Sequence, residues 1–128
     1  MEYINTSIES DGALLITFSS EVTNKSDISL MRTEIASISK EVKKIYAKQG
    51  KNIKILIDIT GFKAIYLTET VNALVEVAKE DKDLVERTAI FGGSLQVKII
   101  ADIIIELSGR KNMKIFKTKP EAVQWLNS

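Results

Sequence analysis

The sequence predicts a single α/β domain built on a mixed sheet of five strands, in the order β-β-α-β-α-β-α-β-α, with an N-terminal antiparallel hairpin and parallel central strands. Three observations carry this reading. In residues 52–62, Ile53, Ile55, Ile57 and Ile59 alternate on one side while Leu56 is apolar on the other, the pattern of a strand covered on both faces. Further strand-like runs alternate with stretches of helical periodicity, which implies parallel pairing through right-handed crossovers. Near the N-terminus two short β-prone runs flank an Asp11-Gly12 pair, a hairpin signal.

Taken in order, residues 3–8 and 13–18 form that hairpin, and the polar residues 19–25 form a loop. Ser26 or Asp27 can cap the following helix by accepting a bond from a free amide of its first turn. Ile28, Met31, Ile35, Ile38, Val42 and Ile45 recur at spacings of three and four, giving one apolar stripe that Gly50 ends. Three heptads would also suit a coiled coil, but a strong strand follows, so the stripe is expected to cover a sheet. After the central strand, Leu67-Thr68 forms a hydrophobic lead-in and N-cap, and Val71, Leu74, Val75 and Ala78 form the buried side of a second helix. Residues 80–83 are a charged connection, and residues 87–91 the next strand. A third helix spans Leu95–Ser108 with Gly109 as its stop, and Met113–Phe116 is the last strand. Thr118-Lys119-Pro120-Glu121 makes a capping box with proline in the tolerant first turn, and the final helix buries Ala122, Val123, Trp125 and Leu126.

With 128 residues, 45% of them hydrophobic and 27% charged, the chain has the composition of an ordinary globular domain, and no linker, low-complexity tract or internal repeat divides it. The net charge of +1 gives no global field to recruit nucleic acid. Cysteine and histidine are both absent, which removes disulfides, thiol nucleophiles, Ser-His-Asp triads and nearly every zinc site. No catalytic, cofactor or metal constellation is expected. Residues 1–5 do not begin a signal peptide, and the apolar-rich run 97–107 is interrupted by Lys98, Asp102 and Glu106 and too short to cross a bilayer, so the expected location is the cytoplasm without integral membrane association.

Residues 56–62 (Leu-Ile-Asp-Ile-Thr-Gly-Phe), 86–92 (Glu-Arg-Thr-Ala-Ile-Phe-Gly) and the ending 116–126 resemble the SpoIIAA-like family, small bacterial proteins of STAS-like or CRAL-TRIO-like α/β fold. The resemblance covers most of the chain through fold-building motifs, and it implies a non-enzymatic regulatory or protein-interaction module. STAS anti-sigma-factor antagonists carry a phosphorylatable serine in an Asp-Ser-Ser-Gly motif after the central strand. The corresponding stretch here reads Tyr66-Leu67-Thr68-Glu69, so Thr68 is the surviving hydroxyl, either as a regulatory phosphosite at a helix N-terminus or as a plain N-cap. The CRAL-TRIO-like side of the resemblance implies the alternative function, a carrier or sensor of a small apolar, lipid-like ligand.

Two candidate sites follow from the residues. Gly92-Gly93-Ser94 joins a strand end to a helix start, and Asp58 lies at the same carboxyl edge of the sheet, where ligands and anions bind in open α/β folds; a tight turn capped by Ser94 is the plainer account. In helix Leu95–Ser108, Lys98, Asp102 and Glu106 form one narrow polar strip and apolar residues fill the rest, about twice the roughly 100° arc that covering one sheet face requires. Ile99, Ile103 and Ile105 are therefore candidate interface residues, with neighbouring helices, a homodimer or partner contact, and an apolar ligand pocket as the three ways to cover the excess. Lysines 40, 43, 44, 48, 51 and 54, with Arg110, Lys111 and Lys114, cluster near helix C-termini, where the helix dipole favours them as a solvated surface.

Overall fold

A computed structural model describes residues 3–18, 28–62 and 68–128, with the backbone only for Ile28 and Thr68. The elements are β1 (Ile4–Ile8), β2 (Leu14–Phe18), α1 (Ile28–Gln49), β3 (Ile53–Asp58), α2 (Thr68–Glu80), β4 (Val85–Phe91), α3 (Leu95–Ser108), β5 (Met113–Phe116) and α4 (Lys119–Leu126). This is the expected order. The expected loop at 19–25, the cap at Ser26 or Asp27 and the lead-in at Leu67 lie outside the described residues.

The strands form one sheet in the order β1-β2-β3-β4-β5, with β1 antiparallel to β2 and every other pair parallel. β3 is the middle strand, as its two-sided apolar pattern requires. Each parallel crossover moves one strand further in the same direction, so right-handedness sends all three connecting helices to the same face. α1, α2 and α3 lie side by side there, over a core that includes Ile16, Ile55 and Ile90 of the sheet and Met31, Ile35 and Val42 of α1. Among the described elements α4 packs alone on the other face, against β3, β4 and β5, where Ala122 and Leu126 cover Leu56, Ala89 and Phe91. A helix of eight residues is only about 12 Å long and cannot shield five strands. Where it does not reach, β1 and β2 turn Asn5, Ser7 and Thr17 to that face, and the sheet meets water through polar side chains.

β4 begins at Val85, two residues before the expected start. Ile53 pairs with Val85 but Lys54 pairs with Arg87, so Glu86 is an extra residue on the β4 side, a bulge that breaks the alternation on which the expectation rested.

Polar contacts anchor both ends of the domain. The buried carboxylate of Glu34 on α1 accepts the backbone amides of Tyr3 (2.9 and 3.1 Å) and Ile4 (3.0 Å), tying the start of edge strand β1 to the helix layer. At the other end the Arg87 guanidinium donates to the Trp125 carbonyl (2.6 Å) and the Ser128 hydroxyl (2.8 Å) and lies 4.8 Å from the centre of the Trp125 ring, holding α4 on the sheet. Among the described residues, no helix is long and apolar enough to cross a membrane.

Replacing Glu34 with Ala removes the carboxylate that accepts two buried backbone amides, so chemical denaturation should show a loss of about 3 kcal/mol, with the early residues of β1 losing hydrogen-exchange protection first.

Candidate functional site

The glycine turn is built by two strand ends. Asp58 of β3 pairs with Phe91 of β4, so the residues that follow each strand emerge together at the carboxyl edge. Asp58 Oδ1 accepts the Thr60 amide at 2.9 Å, closing a local turn, and the Ile59 amide donates to the Phe91 carbonyl at 3.1 Å. Gly92 has φ +80° and a Cβ there would sit 2.1 Å from Thr60 Oγ1; Gly93 has φ +82° with Ile59 Cδ1 3.0 Å from where its Cβ would be. Both glycines are thus demanded by backbone conformation and by the approach of the β3 end. Ser94 Oγ accepts the Val97 amide at 3.3 Å and caps α3. The structure brings Asp58, Gly92, Gly93 and Ser94 to one edge, and the Asp58 carboxylate and the Ser94 hydroxyl both serve the local backbone. Thr68 starts α2, and its side chain lies outside the described residues.

α3 divides its wide apolar arc in two. Val97 and Ala101 are buried under the helix, and Ile105 is half-buried against the main core. On the outer side Leu95, Ile99, Ile103 and Leu107 are 75, 52, 38 and 54% exposed. Their spacing of four residues places them in one continuous stripe. Of the three candidate interface residues, Ile99 and Ile103 belong to this stripe and Ile105 does not. Leu95 and Leu107 complete it at the two ends of the helix; Leu107 belongs to the apolar arc visible in the sequence, but the arc alone does not mark which of its residues face outward. Lys98, Asp102 and Glu106 flank the stripe, and among the described residues no ion pair engages them.

A second polar feature lies inside. Asp81, in the α2–β4 connection, is only 2% exposed, and its Oδ1 has no hydrogen-bond partner. Burial pushes its pKa up, against a smaller opposing pull from the Ser39 hydroxyl, which nears the carboxylate without meeting hydrogen-bond geometry. Arg110, expected on the solvated basic surface, is buried instead: it directly follows the α3 stop at Gly109, where the chain returns from the helix layer to the sheet to begin β5. Its Nη2 donates to Thr88 Oγ1 and its Nε to Asn112 Oδ1, both at 2.9 Å. Burial pushes its pKa down, while the Asp81 charge acts in the opposite sense. Among the described residues no cluster of three or more acidic side chains is placed to hold a metal ion.

A five-stranded mixed sheet with three helices on one face and one on the other defines the STAS-like α/β class. In agreement, the solved structure of an anti-sigma-factor antagonist (STAS) domain protein from Planctomyces limnophilus is similar over 98% of both chains, with a TM-score of 0.58 at 21% sequence identity, a likeness of fold. The chain belongs to the family described as domain of unknown function DUF7793, whose model matches residues 10–128. No curated relative matches it.

The Asp81 carboxyl gives a signed pH dependence. Its folded pKa lies above its unfolded value, so the stabilisation from its protonation is complete below pH about 4, the ordinary carboxyl pKa, and is lost as pH rises through the folded pKa. Asp81→Asn removes that loss. Its melting temperature should exceed that of the parent protein at pH 7, and the difference should close as the pH is lowered toward 4.

Proposed function

We propose that this protein is a non-enzymatic, cytoplasmic interaction module whose binding surface is the outer face of α3 and whose occupant is a second copy of the chain. The observation that carries the reading is the run of four exposed aliphatic side chains on one helix, a feature that costs solubility unless it is covered. The stripe is symmetric about position 101. An antiparallel α3 pair would set Leu95 opposite Leu107 of the partner subunit and Ile99 opposite Ile103 of the partner subunit. The flanking strip becomes complementary in the same arrangement. A two-fold axis across the helices keeps equivalent flanks on the same side, so Lys98 comes level with the interval between the partner's Asp102 and the partner's Glu106. A parallel pair, with its two-fold axis along the helices, would put the two strips on opposite sides and leave the charges unmatched.

The strength of this contact follows from its size. Full burial of an aliphatic side chain stabilises by about 1.5–3 kcal/mol, and with roughly half of each still in water the four contribute about 4 kcal/mol per subunit. Association costs of about 4–15 kcal/mol absorb much of the combined gain, so the dimer is weak and depends on concentration. The absence of cysteine and histidine and the local engagement of Asp58 favour binding over chemistry.

Sedimentation velocity across the micromolar range should show a monomer–dimer equilibrium. Ile99→Glu with Ile103→Glu should leave a monomer whose melting temperature is not lowered. Lys98→Glu should weaken the dimer, and adding Asp102→Lys and Glu106→Lys should restore it. A chain that stays monomeric at high micromolar concentration, or charge variants without effect, would overturn the reading.

A further inference from the structure

A half-open pocket of about 110 Å³ lies between the sheet and the helix layer, chiefly under α2 and α3. Its walls are largely aliphatic, with Ile57 and Ile90 from the sheet, Val77 from α2, and Ile100, Ala101 and Ile104 from the inner side of α3. Asp81, Thr88 and Arg110 break that lining. Their placement has a simple cause: the connections from α2 to β4 and from α3 to β5 both return to the N-terminal edge of neighbouring parallel strands, so Asp81 and Arg110 enter the same end of the chamber. Arg110 is held by Thr88 and Asn112, whereas Asp81 Oδ1 is fully buried and, although the Ser39 hydroxyl nears the carboxylate, accepts no hydrogen bond.

We infer that this chamber is a binding site for a small neutral amphiphile, a branched aliphatic alcohol of about six non-hydrogen atoms, whose hydroxyl donates to Asp81 and accepts from Arg110. The size follows from comparison with an engineered apolar cavity of about 150 Å³ that takes up benzene. The charge follows from the mixed polar end. A carboxylate would meet the Asp81 charge, an ammonium would meet Arg110, and a plain hydrocarbon would leave Asp81 Oδ1 without a donor. A hydroxyl satisfies both groups and leaves the hydrocarbon branch to fill the aliphatic walls. Water alone serves the polar end but makes no use of the remainder.

Isoamyl alcohol is the probe, with isovalerate and isoamylammonium as charged counterparts of the same shape, read by the isoleucine methyl resonances of the full chain. The alcohol should produce saturable shifts at Ile90, Ile100 and Ile104 and bind at least about tenfold more tightly than either ion. Asp81→Leu should weaken the alcohol by about tenfold. Ala101→Leu, which fills the chamber without touching the polar end, should abolish its binding in a protein that remains folded; this variant decides the matter if Asp81→Leu does not fold. Equal binding of an ion, shifts confined to Ile99 and Ile103 on the outer face, unchanged binding in Ala101→Leu, or no saturable shift in the parent protein would each overturn the inference.

Discussion

The structure depends on one topological constraint: four parallel strands laid down in sequence order, each crossover stepping the same way. Right-handed connections then leave no choice about where the helices go. α1, α2 and α3 form a single layer over one face, and the chain reaches the other face only after β5, with the eight residues of α4. The position of α3 follows directly. It is the last helix of the layer, packed against α2 on one flank and, among the described residues, with no fourth helix on the other. A helix at the end of a layer has an outer face that its own domain does not cover, and here that face is aliphatic.

The same constraint explains why polar side chains anchor the margins. The middle of the sheet is secured by burial from both sides, but β1 has a strand on one side only and α4 has little area of its own. Glu34 closes the first margin by accepting the amides of Tyr3 and Ile4 at the start of β1, and Arg87 closes the second through the Trp125 carbonyl and ring. Hydrogen bonds to a charged group contribute about 1.5–3 kcal/mol each, comparable to burying one aliphatic side chain. Lys54 extends the second anchor to Asn127, and Asn127 in turn donates to Asp11 in the hairpin turn, so the C-terminal helix is linked back to the beginning of the chain.

The order of strands and helices along the chain was legible because it depends on periodicity, which a single sequence displays. The alternation of isoleucines in β3, the stripe of α1 and the capping box of α4 are all local signals. The start of β4 was not legible, because the bulge at Glu86 shifts the alternation by one residue. The site was legible in outline. The excess apolar arc on α3 appears in its sequence, but which part of it faces water depends on where α2 ends up, and so Ile105 belongs to the core while Leu95 and Leu107 belong to the surface. Glu34, Asp81 and Arg110 were hidden for a different reason. Each is a charged residue near an element end or at the margin of an apolar stripe, the ordinary place for a solvated side chain, and only the tertiary fold closes over them.

The outer stripe and the inner chamber lie on opposite sides of one helix, and both are energetically costly when uncovered. A buried carboxylate oxygen without a donor costs about 1–3 kcal/mol, and the apolar walls of the pocket give up packing contacts besides. Against a total stability of about 5–15 kcal/mol for a domain, these are large concessions to find around one helix. Elsewhere the layer shows that this chain closes its core well: Ile35, Val42, Ile53 and Leu56 are almost completely buried. Poor packing in general therefore does not account for α3. Two occupants, one inside and one outside, would offset both costs at once, and the apolar arc twice as wide as a sheet requires is what a helix needs when it has two surfaces to offer.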